Sequence, residues 1–331
     1  RGSMLRMVVL GCGRIGQMHA ANVARHPRAM LAGVYDLHAP SAERVATAQG
    51  VPAFASAEAV FTSKDVDAVL IATATPTHAD YIEMAIAAGK AVLCEKPIDL
   101  NLARVNACAA RIKGTRLPIQ LGFNRGYDPG HSAARAAMLA GEIGDPHQVI
   151  ITSRDPGLPP RAYLEAAGGL FRDMTIHDFD LARFMLGEEP IEVFALANAL
   201  IDPAFGKELN EVDSAMFVLR TASGKQCHIN NSRTAVYGYD QRVELMGTKG
   251  MLLLDNRKPH ELRRYTATST ETSRRPCAVC VKTTRILPPR SCCKPRMCGL
   301  LRALRRSVWT SAGARSSPLQ VRSAAARKTL P

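Results

Sequence analysis

Short apolar runs alternate with amphipathic stretches along the first part of the chain. The apolar runs are typical of buried parallel strands and span residues 5–10, 30–35, 66–73 and 91–94. The patterns between them have helical spacing and span residues 14–25, 42–49 and 78–88. This repeated order of strand and helix predicts a doubly wound parallel sheet, which binds ligands beyond the carboxyl ends of its strands.

The pattern changes after about residue 123 to longer strands with fewer helical stretches between them. The candidate strands of this second part span residues 147–153, 192–199, 214–220, 226–233, 241–246 and 251–254. We therefore expect an α/β chain with a parallel sheet first and a mainly antiparallel open sheet in a second α/β domain at residues 124–265.

A glycine-rich turn follows the first predicted strand. Gly11, Gly13 and Gly16 have the G-x-G-x-x-G spacing between a strand and a helix. The first glycine allows a tight turn, the second lets a pyrophosphate approach the backbone, and the third lets the helix pack on the strand. Arg14 and Ile15 begin the helix, whose free N–H groups attract phosphate.

An acidic residue ends the second predicted strand. Asp36 lies 20 residues after Gly16, about the distance at which a carboxylate binds the adenosine ribose hydroxyls of NAD. The same carboxylate would repel the 2′-phosphate of NADP, and neither Leu37 nor His38 offers a guanidinium to that phosphate. The sequence therefore predicts a Rossmann domain at residues 4–123 with NAD as its cofactor.

More polar residues follow the third and fourth predicted strands. The segment Glu95-Lys96-Pro97 comes directly after the strand at residues 91–94. Since the carboxyl ends of parallel strands meet at one edge of the sheet, residues there are candidates for the cofactor site. We predict cofactor contacts from Thr73, Thr75, His78, Glu95 and Lys96.

The Glu-Lys-Pro triplet downstream of a dinucleotide motif resembles the Gfo/Idh/MocA oxidoreductases. Residues 168–180 resemble a second signature of that family and predict a helix from the glycines to about Leu186, with Asp173 and His177 on one face. The segments around Arg125, Asp155 and Tyr237 are most similar to the inositol 2-dehydrogenases, and the likeness covers about residues 5–265.

This resemblance implies NAD-dependent oxidation of myo-inositol at its 2-hydroxyl to scyllo-inosose. Lys96, Asp173 and His177 are then the catalytic residues. His177 is the expected proton acceptor, because imidazole titrates near neutral pH, and Lys96 as the base stays open. The expected substrate contacts are Lys96, Arg125, Asp155, Asp173, His177 and Tyr237.

Two other functions stay open on the sequence alone. One is a dehydrogenase of another cyclitol or sugar, and the other is an inactive NAD-binding sensor whose basic end binds nucleic acid. The presence of Lys96, Asp173 and His177 together favours an enzyme, since a sensor need not keep all three. The resemblance also implies a homotetramer that acts on a small cyclitol or sugar.

No apolar run approaches the roughly 18 residues that a membrane helix needs. The first run is also too short for the core of a signal peptide. We therefore expect a cytoplasmic protein without a membrane partner.

Charge and cysteine are distributed unevenly along the chain. The net charge is +14, but the C-terminal basic segment, residues 257–331, holds 18 Lys and Arg, 2 Asp and Glu, and five of the nine cysteines. The first 256 residues are nearly neutral, with 25 basic and 27 acidic groups. This segment departs from the resemblance, because members of the family end in an acid-balanced helix.

Three explanations for the basic segment differ in how many of its unusual features they explain. Zinc would use Cys277 and Cys280, but no second C-x-x-C pair follows. A nucleic-acid arm explains the charge alone. A displaced reading frame explains the charge, the cysteines and the loss of acids together. We therefore expect an atypical, disordered tail at residues 266–331, with no metal site and no nucleic-acid partner.

Overall fold

The computed structural model describes residues 4–256, 264–265, 267, 270–271 and 320–322 of the chain. The described residues form two units, and the chain passes from the first to the second after Phe123. Most of residues 266–331, including the Cys277–Cys280 pair, lies outside the described residues, so the expectations for that tail stay predictions.

The first unit is a parallel sheet with helices on both faces. Its strands are β1 (Leu5–Leu10), β2 (Ala29–Tyr35), β3 (Ala68–Ile71), β4 (Ala91–Cys94) and β5 (Ile119–Leu121). Its helices are α1 (Arg14–Ala24), α2 (Ala39–Gln49), α3 (Ala57–Thr62), α4 (His78–Ala87) and α5 (Leu102–Arg111). The strand order is β2-β1-β3-β4-β5 and every pairing is parallel, which confirms the predicted doubly wound sheet.

The central strands of this sheet are buried on both faces. In β1, Val8 and Leu10 pack with residues of α3, α4 and α5, whereas Val9 packs with residues of α1 and α2. All three side chains are fully buried. A strand between two helical layers needs apolar residues at successive positions, which explains why residues 7–10 show no polar alternation.

The second unit is a mixed sheet that packs helices on one face. Its long strands are β6 (Pro146–Arg154), β7 (Pro190–Asn198), β8 (Ser214–Thr221), β9 (Gln226–Ser232), β10 (Asp240–Gly247) and β11 (Gly250–Leu254). Its helices are α6 (Pro129–Leu139), α7 (Arg161–Ala167), α8 (Ile176–Leu186) and α9 (Pro203–Leu209).

Three short strands complete the described part of this unit. β12 (Arg264–Tyr265) and β13 (Thr270–Glu271) form an antiparallel pair, and β14 (Gln320–Arg322) adds to the edge of the large sheet. The order of the large sheet is β11-β10-β6-β9-β8-β7-β14. Its pairings are antiparallel except for β6 with β9 and β7 with β14, which confirms the predicted, mainly antiparallel sheet.

The helix predicted from the double glycine to Leu186 is present in the structure and contains a π turn. α7 ends before Gly168, and Gly168 and Gly169 follow with φ values of +78° and +88°, which favour glycine. The helix continues from Gly169 through a π turn at Phe171–Thr175 into α8. Asp173 thus lies in the π turn and His177 in α8, and the π turn is the feature that the sequence did not predict.

The face of the large sheet opposite α8 is apolar and exposed. The cross-strand register places Phe194 opposite Val218 and Leu196 opposite Met216, so these four side chains share one face. The exposed apolar residues of this face, which we call the apolar sheet face, are Ile150, Phe194, Leu196, Met216, Val218, Met246, Met251 and Leu253. Exposed apolar patches of several hundred Å² mark interaction surfaces in many proteins.

The described part of the chain contains no helix long and apolar enough to cross a bilayer. Within the same residues, no group of three or more His, Cys, Asp or Glu side chains could hold a metal ion. The cysteines described are buried thiols, namely Cys12, Cys94, Cys108 and Cys227.

Asp180 is a partly buried carboxyl group on α8. Burial raises its pKa to about 6 with a contribution from Glu189, although Arg183 opposes the shift. The folded protein therefore holds this proton more tightly than the unfolded chain does. Its contribution to stability is present at low pH and is lost as the pH rises from about 4 to about 6.

We expect Asp180→Asn to stabilise the protein at neutral pH, because the amide needs no proton to remain uncharged. The gain in the free energy of unfolding should be about 1–3 kcal/mol at about pH 7.5 and should vanish below about pH 4. Thermal unfolding followed at several pH values measures it. Asp145→Asn, which changes an exposed carboxylate, is the control, and an Asp180→Asn variant no more stable than this control at neutral pH would contradict the assignment.

Candidate active site

The glycine-rich turn is shaped by two close backbone contacts. Gly11 has a φ of +93°, and a Cβ there would lie 2.4 Å from the carbonyl oxygen of Ala72. A Cβ on Gly16 would lie 1.8 Å from the carbonyl oxygen of Gly11. Neither position has room for a side chain, so these glycines fix how α1 approaches the sheet.

Gly13 differs from the other two glycines because a Cβ there meets nothing within 4 Å. Gly13 is the N-cap of α1, and Arg14 beside it is exposed. The open space at a helix N-terminus suits a phosphate group, which accepts hydrogen bonds from the free N–H groups and is favoured by the helix dipole. This cradle fits the pyrophosphate of a dinucleotide.

The carboxylate of Asp36 lies against the same turn. Its Oδ2 atom accepts a hydrogen bond from the Cys12 N–H at 2.6 Å, and its Oδ1 atom accepts one from the His38 N–H at 2.8 Å. Burial and this carboxylate raise the pKa of the Cys12 thiol to about 11. The acidic group predicted to bind the ribose therefore lies beside the predicted phosphate cradle.

The segment after β3 carries three of the predicted cofactor contacts. The hydroxyls of Thr73 and Thr77 lie 2.6 Å apart, and Thr75 begins a short 3₁₀ turn that ends at Thr77. His78 is buried, with 2% of its surface exposed. Its Nδ1 atom lies 2.7 Å from the carbonyl oxygen of Pro97 and its Nε2 atom lies 3.0 Å from that of Thr73.

Glu95 and Lys96 follow β4. Glu95 Oε1 lies 2.7 Å from Nε2 of His19, a residue of α1 that the sequence analysis did not select. The sequence did carry a signal, since His19 falls on the helical face of Gly16, Ala20 and Val23, which is turned toward the interior. The structure thus brings the glycine turn, Asp36 and the ends of β3 and β4 together within the first unit.

In the second unit, Asp173 is held by two side chains that the sequence analysis did not place in the site. The Tyr163 hydroxyl donates a hydrogen bond to Asp173 Oδ1 at 2.6 Å, and Arg233 Nη1 donates one to Oδ2 at 3.2 Å. Arg233 is only 1% exposed. A charge-assisted hydrogen bond from a buried guanidinium orients this carboxylate. His177 follows in the first turn of α8.

Asp155 and Arg125 belong to the same polar region of the second unit. Burial raises the pKa of Asp155, opposed by its hydrogen bond with Tyr239 and by the charge of Arg233. Arg125 Nη2 lies 3.5 Å from the Ser153 hydroxyl. The second unit therefore groups the predicted substrate residues Asp155, Asp173 and Arg125 around buried charges.

Asp178 adds a buried carboxyl group to this region. It is fully buried, its Oδ2 atom accepts a hydrogen bond from Asn231 at 2.8 Å, and its Oδ1 atom lies 3.9 Å from Arg125 Nη2. Burial raises the pKa of Asp178, and the charge of Arg125 opposes that shift. Arg125 therefore has a buried carboxyl group as a neighbour, which limits the directions its guanidinium can take.

Tyr237 is engaged in a separate network at the end of β10. Its hydroxyl donates to Asp240 Oδ2 at 2.6 Å and accepts from Arg154 Nη1 at 2.8 Å. Burial alone would raise the pKa of Asp240, but hydrogen bonds from Arg242, Tyr237 and Asn256 lower it to about 2. The Tyr237 hydroxyl is thus fixed by charged partners, while 39% of the residue stays exposed.

Comparison with known proteins agrees with both units. Residues 5–123 match the model of an oxidoreductase family described as an NAD-binding Rossmann fold, and residues 131–253 match that of the Gfo/Idh/MocA C-terminal domain. The chain belongs to the Gfo/Idh/MocA oxidoreductase family. Its first unit is therefore an NAD-binding domain, and the protein is an NAD-dependent oxidoreductase.

Several members of this family are similar over most of the chain. An inositol 2-dehydrogenase of Rhizobium meliloti is 49% identical over 255 residues, which is 77% of either chain. A myo-inositol 2-dehydrogenase of Thermotoga maritima is 42% identical over 76% of this chain and 75% of its own. The crystal structure of a myo-inositol dehydrogenase from Corynebacterium glutamicum has a TM-score of 0.79 and 42% identity, and the match covers 83% of this chain and 82% of that one.

The two glycines Gly13 and Gly16 allow a matched test of the cofactor cradle. Gly13→Ala should leave the thermal stability unchanged but weaken NAD binding at least about tenfold, because its methyl group enters the space of the pyrophosphate. Gly16→Ala should instead destabilise the free protein by about 1–3 kcal/mol or more, because its methyl group overlaps a backbone carbonyl. Thermal unfolding and fluorescence titration with NADH separate the two effects. Unchanged NADH affinity in Gly13→Ala would show that the phosphates bind elsewhere.

Proposed function

We propose that this oxidoreductase oxidises myo-inositol at its 2-hydroxyl group to scyllo-inosose, with hydride transfer to NAD. The observation that carries the proposal is the Asp173 carboxylate, fixed by Tyr163 and the buried Arg233 near the start of α8. A fixed carboxylate acceptor of this kind suits a substrate that offers hydroxyl donors. The names of the relatives from Rhizobium meliloti and Thermotoga maritima support inositol as that substrate.

The oxidation needs a group that removes the hydroxyl proton and a group that receives the hydride from the same carbon. NAD supplies the hydride acceptor when it is bound. We assign the proton to His177, since a neutral imidazole accepts a proton near neutral pH without any perturbation. Asp173 orients this ring or holds a neighbouring substrate hydroxyl.

Lys96 has a different part in the proposal. Its ammonium group would contact the substrate oxygen and the nicotinamide ribose, and its positive charge would stabilise the oxygen as the proton leaves. If Lys96 rather than His177 removes the proton, the His177 variant keeps the fall in rate toward low pH that marks the titration of a general base. Arg125, Asp155 and Tyr237 complete the proposed substrate contacts.

A dehydrogenase of another cyclitol is the second candidate. A scyllo-inositol 2-dehydrogenase (NAD(+)) of Bacillus subtilis is 37% identical over 76% of this chain and 73% of its own. The two candidate substrates, myo-inositol and scyllo-inositol, differ only in the configuration of the reacting carbon. Initial rates of NADH formation with myo-inositol, scyllo-inositol and glucose distinguish these substrates. An inactive sensor would form no NADH with any of them.

We expect Lys96→Ala and His177→Ala each to lower kcat for myo-inositol by about 10²–10⁴, the usual scale for a lost acid–base group. The Kd of NAD should stay within a few fold, because both variants leave the phosphate cradle and Asp36 intact. Steady-state kinetics and NADH titration measure the two quantities. Arg116→Ala, which truncates a side chain of the segment between α5 and β5, is the control. Near-normal turnover in His177→Ala would move the base to Lys96, and near-normal turnover in both variants would reject the mechanism.

We further propose that the apolar sheet face binds a second copy of the chain, in keeping with the homotetramer that the family resemblance implies. Its eight large apolar residues are exposed on the same face of one sheet. Burial of such residues stabilises an assembly by roughly 1.5–3 kcal/mol for each side chain that becomes fully buried.

A charge placed on the apolar sheet face should separate the copies. We expect sedimentation velocity to give a tetramer for the unchanged protein and smaller species for Leu196→Glu and Met216→Glu. Leu139→Glu is the control, because Leu139 is also an exposed apolar residue but lies on α6, outside the sheet. A monomeric unchanged protein, or sheet variants with the same mass as the control, would contradict the proposal.

A further inference from the structure

The segment that carries Lys96 leaves the sheet immediately after β4. The Glu95 N–H still donates to the carbonyl oxygen of Ile71 at 2.9 Å, so the backbone is paired with the sheet up to that residue. α5 begins only at Leu102. Contacts of the residues on either side of Lys96 therefore help to set the position of its backbone.

Glu95, directly before Lys96, is fixed from α1. His19 Nε2 lies 2.7 Å from Glu95 Oε1, and the two side chains are 20% and 24% exposed. On its other side the carboxylate lies over Gly122, where a Cβ would approach Glu95 Oε2 to 2.8 Å. The glycine leaves the space that the carboxylate fills, and the histidine sets the direction in which it points.

Pro97, directly after Lys96, is fixed from α4. The buried His78 ring lies between the carbonyl oxygens of Pro97 and Thr73, at 2.7 and 3.0 Å. A neutral imidazole donates a hydrogen bond at one of its nitrogens and an imidazolium at both. A proton on Nδ1 makes the hydrogen bond to Pro97, and a second proton on Nε2 adds the bond to Thr73 and so links the segment after β4 to the end of β3.

We infer that His19 and His78 are a pair of positioning residues that hold Lys96 between them. One acts through the side chain of the preceding residue and the other through the backbone of the following residue. His19 lies on α1, which follows β1, and His78 lies on α4, which follows β3. The two residues therefore fix the position of Lys96 relative to both the phosphate cradle and the Thr73 segment. This inference rests on the proposed function for the role of Lys96, but the two contacts themselves do not.

The inference gives His78 a role other than the direct cofactor contact predicted from the sequence. Both of its ring nitrogens face backbone carbonyls of its own unit, and the ring is almost completely buried. A positioning residue affects the chemical step more than cofactor affinity, because an error of about 1 Å in a reacting group can cost about 10²-fold in rate. A direct cofactor ligand would affect the Kd of NAD instead.

The kinetic test compares removal of each contact with its replacement. His19→Leu and His78→Leu should lower kcat for the best substrate about 10- to 100-fold and change the Kd of NADH less than about threefold. His19→Gln places an amide nitrogen near the position of Nε2, and His78→Asn places one near the position of Nδ1. Each of these variants should therefore recover at least about a third of the decrease in log kcat that the leucine variant shows. His147→Leu, at an exposed position of β6, is the control.

A second measurement follows Lys96 directly and needs no substrate. Reductive ¹³C-methylation labels the lysines of the full-length protein, and the Lys96 signal is the one that Lys96→Arg removes. In the NADH complex, His19→Leu and His78→Leu should shift or broaden the Lys96 signal and leave those of the exposed Lys64 and Lys249 unchanged. A general loss of stability would change the signals of Lys64 and Lys249 as well as that of Lys96.

The outcomes separate the two proposals. If the unchanged protein oxidises no polyol, the proposed function fails and the Lys96 signal alone decides the inference. The inference is overturned if the Lys96 signal is the same in both leucine variants and in the unchanged protein. It is also overturned if the two leucine variants keep the kcat of the unchanged protein and differ from it only in a weaker Kd for NADH. If His78→Leu does not fold, the comparison of His19→Leu with His19→Gln decides by the same criteria.

Discussion

The first unit depends on one close approach between backbones. α1, Gly11 and the segment after β3 meet where a Cβ on Gly11 or Gly16 would overlap a carbonyl group. Because no side chain separates them, the N-terminus of α1 opens beside Asp36, and His19 on the same helix reaches Glu95. The phosphate cradle and the contact of His19 with Glu95 are therefore consequences of the same close approach.

The second unit is organised by buried charge. Arg233 and Arg125 lie among carboxylates that burial alone would drive toward the protonated form, as the raised pKa values of Asp155 and Asp178 show. Asp173 is the member of this group that the buried Arg233 and the Tyr163 hydroxyl bind directly. Such a region presents fixed hydrogen-bond acceptors and donors, which suit the hydroxyl groups of the proposed substrate.

The sequence predicted those features that depend on local pattern. The glycine spacing, Asp36 and the apolar runs of β1 to β4 each show in consecutive residues, so the NAD-binding sheet could be derived. The contacts of His19 with Glu95 and of Arg233 with Asp173 join residues 76 and 60 positions apart, and local pattern does not encode such pairings. The π turn at Phe171–Thr175 was missed because two glycines and an apolar period also fit a regular helix.

In the proposed reaction the hydride removed from C2 of myo-inositol passes to NAD. Myo-inositol deuterated at C2 tests this step when the label in the reduced cofactor is followed by mass spectrometry. We expect one deuterium in each NADH formed and a slower reaction than with unlabelled inositol. NADH without deuterium, or no NADH from inositol under any condition, would contradict the proposed reaction.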